Sequence, residues 1–207
     1  LGTIYTADEI SEISEVCRSN NLPLHMDGAR LANAIVSMGM QIADCTWRAG
    51  VDILSLGATK NGVFSAEAVV FFDVSKAADF EFRRKRGGHL FSKLRFLSSQ
   101  LVPYLESNYW LKLAENSNSR ARELAQGLSK IKSISILADV QTNMIFLQMP
   151  THFVDILKKE NCLFYSWGEK EGSISARFVT SFNTSKHEVA QVLSLIKRAD
   201  SITKLKL

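Results

Sequence analysis

Two short apolar segments each lead into a charged residue, and this pattern constrains the fold of the 207-residue chain most strongly. Residues 22–26 lead into Asp27, and residues 51–56 lead into the loop that carries Lys60. A third apolar segment, residues 66–72, is interrupted only by a glutamate. Continuous apolar strands separated by helices are typical of a parallel-type sheet that is buried on both faces. The sequence therefore predicts an α/β fold with charged side chains at the ends of its strands.

Helical patterns separate these strands and continue into the second half of the chain. Thr6 and Glu9 have the spacing of a capping box, which predicts the start of a helix. Apolar residues at helical spacing predict further helices over residues 30–38, 89–107 and 110–129. Strands are predicted at residues 140–149, 162–166 and 174–180, and helices at 152–160 and from 184 onward. The second half therefore reads as a small α+β domain behind long helices.

Composition and charge disfavour several classes of protein. The apolar content of 46% and the net charge of +4 are ordinary for a globular domain. The longest apolar runs are far shorter than the roughly 20 residues of a membrane-spanning helix, and the first residues lack the regions of a signal peptide. The basic run at residues 83–86 has no interleaved aromatic residues, so a solvated helix end or a loop facing a phosphate or another subunit is favoured over nucleic acid. We expect neither a membrane nor a nucleic-acid partner.

The cysteines predict no special site. Cys17, Cys45 and Cys162 are widely spaced, and they form neither a disulfide framework nor a zinc motif. A reducing cytoplasm is the expected compartment, and no metal site is predicted.

An amine and a carboxylate at the ends of such strands suit pyridoxal 5'-phosphate (PLP). A lysine bonds to the aldehyde of this cofactor, and an aspartate holds its ring nitrogen as a pyridinium. An attacking amine needs a lowered pKa, which burial beside other cations would supply, so we expect Lys60 to be buried in its loop of small residues. From the residues alone, Lys60 as an exposed loop lysine and Asp27 as the cap of the next helix stay open alternatives.

The segments HMDGAR, TWRAGVDILSLGATKNG and EAVVFF resemble the threonine aldolase family of fold-type-I PLP enzymes, and most closely its low-specificity L-threonine aldolases. The similarity covers nearly all of the chain, and it is to the C-terminal portion of such an enzyme. The resemblance implies an aspartate aminotransferase-like fold. Residues 1–105 would be the remainder of the large PLP-binding domain, with a mixed, mostly parallel sheet. Residues 106–207 would be a small C-terminal α+β domain.

The resemblance also assigns roles to individual residues. Lys60 corresponds to the Schiff-base lysine, and Asp27 corresponds to the partner of the pyridinium. Arg30 would lie beside the phenolic oxygen of the cofactor, the alternative being a surface salt bridge. His25 shares a strand face with Asp27 by alternation and is a further cofactor-site candidate, although a histidine in the core, or one that supports the site without touching the cofactor, is the favoured interpretation. Arg177 would grip the α-carboxylate of the substrate with its planar fork, the alternative being an ordinary strand arginine.

The implied activity is retro-aldol cleavage of β-hydroxy-α-amino acids, which converts L-threonine or L-allo-threonine to glycine and acetaldehyde. The implied assembly is a homodimer or homotetramer. The catalytic base and the phosphate-binding loop are expected in an N-terminal part that is not in this sequence. Two other interpretations stay open: another PLP-dependent amino-acid lyase reaction such as β-elimination, and a truncated, non-catalytic fragment that only folds and associates.

Overall fold

The computed structural model describes residues 1–204, with side chains up to Ser201. In chain order, its helices and strands are α1 (Ala7–Ser19), β1 (His25–Gly28), α2 (Leu31–Met38), β2 (Ile53–Gly57), β3 (Glu67–Phe71), α3 (Phe80–Arg86), α4 (Arg95–Ser98), α5 (Leu101–Glu106), α6 (Tyr109–Leu128), β4 (Ser135–Ile136), β5 (Met144–Pro150), α7 (His152–Lys159), β6 (Tyr165–Lys170), β7 (Ser173–Val179) and α8 (Lys186–Lys204). One-turn 3-10 helices occupy Trp47–Ala49, Thr59–Asn61 and Val74–Ala77.

Packing divides the chain into two compact units. The first, which we call the Lys60 unit, is Tyr5–Ala114. The second, the Arg177 unit, joins Leu1–Ile4 to the chain from Glu115 onward. Each unit has its own apolar core. The core of the Lys60 unit includes Leu31, Ile35, Leu54, Leu56 and Trp110, and that of the Arg177 unit includes Leu128, Ile145, Leu147, Phe153 and Ile196. The predicted domain boundary between residues 105 and 106 stays a prediction, because compactness alone does not show that a segment folds by itself.

The Lys60 unit contains a three-stranded sheet in the order β1-β2-β3. Strands β1 and β2 are parallel, as the sequence predicts, whereas β3 runs antiparallel to β2. An antiparallel β3 agrees with the mixed, mostly parallel sheet that the resemblance implies, whereas the apolar pattern alone predicts a parallel strand and is wrong here. The reason is the short connection between Gly57 and Glu67, since a parallel crossover needs about a dozen residues or more and usually a helix.

The helices of the Lys60 unit follow the sequence pattern at α1 and depart from it further on. The capping box of α1 is confirmed, because Thr6 Oγ1 accepts the Glu9 N–H and the Glu9 carboxylate accepts the Thr6 N–H. The single long helix predicted at residues 89–107 is wrong, because the segment contains α4 and α5 instead. Pro103 has no N–H to donate and is tolerated in the first turn of a helix, so a new helix begins just before it. In residues 1–204, none of the helices has the length and apolar content to cross a membrane.

The Arg177 unit is built on a four-stranded antiparallel sheet in the order β4-β5-β7-β6. Strand β7 therefore lies between β5 and β6, and its Arg177 is opposite Phe146 on one side and Tyr165 on the other. The predicted strands and helices of this half are present with shifted ends, and β6 begins later than predicted. The short strand β4 was not predicted.

Candidate active site

Strand β1 presents Asp27 and His25 on one exposed face, as period-two alternation predicts. The His25 Nε2 lies 2.9 Å from Ser55 Oγ on the neighbouring strand β2. The Asp27 Oδ1 accepts the Ala29 N–H at 3.0 Å and so closes the turn after the strand. Helix α2 begins with Arg30 at its N-cap and has no side-chain cap, so Asp27 does not cap that helix. His25 is exposed, so the interpretation as a core histidine is wrong, while a supporting role next to the site stays a prediction.

Arg30 occupies the entry to α2 and is half-buried. Its carbonyl accepts the N–H of Asn33 at 3.0 Å and of Ala34 at 3.3 Å. These bonds fix the backbone from which the Arg30 side chain extends, a short distance along the chain from Asp27.

Lys60 lies in the one-turn 3-10 helix Thr59–Asn61, directly after β2. Gly62 ends this turn with a φ of 107°, a left-handed conformation that side-chain-bearing residues rarely adopt. The Lys60 side chain is exposed, so the prediction that this lysine is buried is wrong. The neighbouring Asn61 takes the inward position of the turn instead, with 4% of its surface exposed.

Gly57 brings the turn that carries Lys60 against the turn that follows Asp27. A Cβ atom at position 57 would lie 2.5 Å from the Ala29 Cα and 2.9 Å from the Ala29 carbonyl carbon. Both are backbone atoms that no rotamer change moves. Glycine at position 57 is therefore what lets the two turns approach so closely, and together they form one surface at the carboxyl ends of β1 and β2.

Glu67 fastens the start of the Lys60 turn, a role that sequence reasoning missed. Its Oε2 accepts the Ala58 N–H at 3.2 Å, and its Oε1 accepts the Thr59 N–H at 3.1 Å. Glu67 begins β3 directly opposite Gly57 in the antiparallel ladder. The available signal was its position as the lone charged residue in an otherwise apolar strand segment.

Asn61 fastens the other end of the turn. Its Nδ2 donates to Tyr104 Oη at 2.7 Å and to the Trp110 carbonyl at 2.8 Å. Burial raises the pKa of the Tyr104 phenol, and the negative charge of Glu67 adds to this, while the hydrogen bond from Asn61 opposes it. Because the phenol stays protonated at neutral pH, its oxygen accepts from Asn61 as a neutral group.

Arg177 lies in the other unit, on the inner strand β7, and is half-buried. Its guanidinium carbon lies 5.4 Å from the centre of the Tyr165 ring, within the range of a cation–π contact. Its Nε is buried and has no hydrogen-bond partner among the described residues. A buried donor without a partner is costly, which makes Arg177 a candidate for binding an anionic ligand.

The chain is similar to known proteins over most of its length. Residues 1–150 match the family described as beta-eliminating lyase. The low-specificity L-threonine aldolase of Pseudomonas aeruginosa is 38% identical over 192 residues, which are 93% of this chain and 55% of that protein. The one from a Pseudomonas species is 38% identical over 197 residues, 95% of this chain and 56% of that protein. The chain thus spans about half the length of the curated relatives it matches.

A solved structure gives the same result for the fold. The threonine aldolase of Leishmania major superposes with a TM-score of 0.87 at 27% identity, over 96% of this chain and 58% of that chain. The α/β fold also matches a serine palmitoyltransferase from Sphingomonas wittichii, with a TM-score of 0.65 at 14% identity over 93% of this chain and 51% of that chain. The resemblance to low-specificity L-threonine aldolases is thereby confirmed, and the match over residues 1–150 shows that this chain belongs to the beta-eliminating lyase family.

Proposed function

We propose that this chain provides the cofactor-anchoring and carboxylate-binding residues of a PLP-dependent enzyme that cleaves β-hydroxy-α-amino acids to glycine and an aldehyde. The observation that carries the proposal is the close approach of the Lys60 turn to the turn after Asp27, which Gly57 permits. The similarity to low-specificity L-threonine aldolases gives the substrate class, with L-threonine and L-allo-threonine as the substrates and acetaldehyde as the aldehyde. The proposal includes the homodimer or homotetramer and the cytoplasmic location that we expect from the sequence.

The exposed groups of the Lys60 unit fit PLP in their chemistry. Lys60 is an exposed primary amine on a turn that hydrogen bonds hold in place, and Asp27 offers a carboxylate on the exposed face of β1. In our proposal Lys60 holds the cofactor through its amine, and Asp27 pairs with the ring nitrogen. Arg30 and His25 flank Asp27 along the chain. When bound, the cofactor supplies an electron sink for the bond that breaks at the substrate α-carbon.

Arg177 would orient the substrate through its α-carboxylate. The planar guanidinium suits a carboxylate that accepts two parallel N–H bonds. The stacked Tyr165 ring limits the motion of the guanidinium, and the buried Nε lacks a partner among the described residues. A substrate carboxylate bound there would satisfy this donor. Arg177 therefore contributes binding and orientation, and it leaves proton transfer to other groups.

The family description favours β-elimination as a second candidate. Residues 1–150 match the beta-eliminating lyase model, and elimination from a β-hydroxy-α-amino acid would release ammonia and a 2-oxo acid. The same lysine, aspartate and arginine would serve either reaction. The products therefore distinguish the two candidates, and the identity of the anchoring residues does not.

The test of the anchoring role is to incubate the chain with PLP, reduce it with borohydride and map the labelled peptide. We expect the reduced adduct on Lys60 and its loss in Lys60→Ala. Lys112→Ala removes an exposed lysine from α6 and serves as the matched control, which should keep the label on position 60. A label scattered over surface lysines in the unchanged chain would contradict the proposal.

The reaction is tested by adding L-threonine or L-allo-threonine to the PLP-loaded chain. Glycine and acetaldehyde in equal amounts support retro-aldol cleavage, whereas ammonia with 2-oxobutanoate supports β-elimination. A chain that is labelled on Lys60 but forms neither set of products would support the third interpretation, a fragment that folds and associates without catalysis.

A further inference from the structure

We propose that Glu67 is a positioning residue for Lys60, and that its carboxylate fixes the turn from which the lysine amine extends. This inference rests on the proposed role of Lys60 as the cofactor anchor. The inference goes further, because a lysine could anchor the cofactor without any contribution from Glu67, the lone charged residue of β3.

The turn that carries Lys60 has no cap of its own. Ala58 occupies the N-cap position, where a serine, threonine or aspartate would accept a backbone N–H, and it makes no side-chain hydrogen bond. Ala58 is fully buried, so water does not compensate for a missing acceptor at its N–H, whereas Thr59 is exposed. A capping side chain at position 58 would accept from the second or third residue of the turn. Glu67 on the neighbouring strand accepts one step earlier, from the N–H groups of Ala58 and Thr59.

The geometry of Glu67 is set by the sheet. Gly57 and Glu67 face each other in the β2–β3 ladder, so the carboxylate starts from a fixed backbone position. Each of its oxygens accepts one N–H, at 3.2 Å from Ala58 and 3.1 Å from Thr59. A glutamine at position 67 would offer one oxygen and turn its amide N–H₂ group toward the second donor. At position 67, a carboxylate is therefore the group that offers one acceptor oxygen to each of the two amides.

The far side of the turn is fixed as well, by the bonds from Asn61 to Tyr104 and Trp110. The backbone on either side of Lys60 is thus held, while the Lys60 side chain itself is exposed. Fixing the start of a flexible side chain narrows the region that its amine samples, which favours reaction at one place over reaction elsewhere. Lys60 thus extends from a turn that is held by exposed and half-buried bonds to Glu67 on one side and by buried bonds from Asn61 on the other.

The first measurement is amide hydrogen exchange by NMR on the cofactor-free chain. In Glu67→Ala, we expect the exchange of the Ala58 and Thr59 amides to accelerate by about tenfold or more, since each loses a bond to a charged acceptor. In Glu67→Gln, one of the two amides should keep its protection. Glu81→Gln, the same change on an exposed residue of α3, is the matched control and should leave both amides unchanged. Unchanged exchange in Glu67→Ala would overturn the proposal.

The second measurement is the ratio of PLP label on Lys60 to label on Lys112, trapped with borohydride across a range of pH. We expect this ratio to fall several-fold from the unchanged chain to Glu67→Gln, and further to Glu67→Ala. The pH at which labelling of Lys60 reaches half of its maximum should be the same in the unchanged chain and in both variants. Faster exchange with an unchanged ratio would make Glu67 merely structural and overturn the positioning role. A shifted pH midpoint of Lys60 labelling, together with unchanged amide exchange, would show that Glu67 acts through its charge, and it would also overturn the positioning role.

Failure of the proposed function gives a different result. If Lys60 takes no label in the unchanged chain, the anchoring role fails for this chain, while amide exchange in the cofactor-free protein still decides whether Glu67 fixes the turn.

Discussion

The two units hold their candidate functional residues in different ways. In the Lys60 unit, Asp27 lies near the end of strand β1, and Lys60 lies on the turn directly after strand β2. In the Arg177 unit, Arg177 lies within β7, an inner strand that is paired on both sides. A residue in a central strand inherits its position from the hydrogen-bonded ladder, whereas a residue on a turn needs dedicated contacts.

Those dedicated contacts are visible around Lys60. Gly57 permits the close approach to Ala29, Glu67 caps the turn, and Asn61 ties it to Tyr104. Each of these contacts depends on one residue type at one position. A single substitution near Lys60 should therefore remove or block one of these contacts. The comparison between the two units can then be tested with one variant for each contact.

The largest expected effect comes from Gly57→Ala. The added Cβ would lie 2.5 Å from the Ala29 Cα, so the backbone of one turn must shift. We expect a loss of about 3 kcal/mol in the free energy of unfolding, the upper end of typical overpacking costs. The control is Gly172→Ala in the Arg177 unit, where nothing lies within 4 Å and only the φ of 76° is unfavourable.

Urea unfolding of both variants makes this comparison. Gly172→Ala should lose only about 1 kcal/mol, the strain of a left-handed alanine. Equal losses in the two variants would show that the approach of the two turns is not tightly constrained.

The sequence predicted the elements that depend on a local pattern of residues, and it did not predict contacts between residues that are far apart in the chain. Apolar runs located β1 and β2 and the charged residues that follow them, because burial on both faces leaves a continuous pattern. The direction of β3 required weighing the short connection from Gly57 to Glu67, which the apolar pattern does not contain.

The contacts around Lys60 were harder still to predict. The partners of Glu67 are backbone N–H groups, which leave no trace in the residue types. Asn61 and Tyr104 are separated by 43 positions in the sequence, so no local pattern links them. The exposure of Lys60 follows from the inward position of Asn61, and it could not be derived without that contact.

An intermediate effect is expected from Asn61→Ala, which can be compared with Asn116→Ala in the Arg177 unit. Asn116 also donates two bonds from Nδ2, to the carbonyls of Phe182 and Thr184, each at 3.0 Å. We expect Asn61→Ala to cost about 2 kcal/mol and Asn116→Ala about 1 kcal/mol, because Asn61 is the more deeply buried and buried acceptors that lose their donors are costly.

The label on Lys60 distinguishes these two asparagines. Only Asn61→Ala should lower PLP labelling of Lys60, since Asn116 holds a different unit. Urea unfolding gives the stability change, and borohydride trapping gives the labelling. Reduced labelling in both variants to the same extent would mean that general destabilisation, and not the Asn61 contact, controls the lysine.

The smallest effect is expected at the other end of β2, from Asp52→Asn. The Asp52 carboxylate binds Lys76 and accepts the Leu24 N–H at 2.8 Å. The hydrogen bond with Lys76, followed by that with Leu24, lowers the pKa of Asp52 from its ordinary value of 3.8. A depressed folded-state pKa stabilises the fold above the unfolded value, and this stabilisation is lost as the pH falls through the folded-state pKa.

We therefore expect Asp52→Asn to cost about 0.5–1 kcal/mol at neutral pH, a small value because the Lys76 side chain is 36% exposed and its charge is screened by water. The difference between the two proteins in urea unfolding should shrink as the pH falls below 3.8. Because Asp52 precedes β2 and Lys60 follows it, labelling of Lys60 should stay unchanged. A stability difference that persists in acid would show that Asp52 acts through packing. Lost labelling would show that the turn at the carboxyl end of β2 depends on the whole strand as well as on its own local contacts.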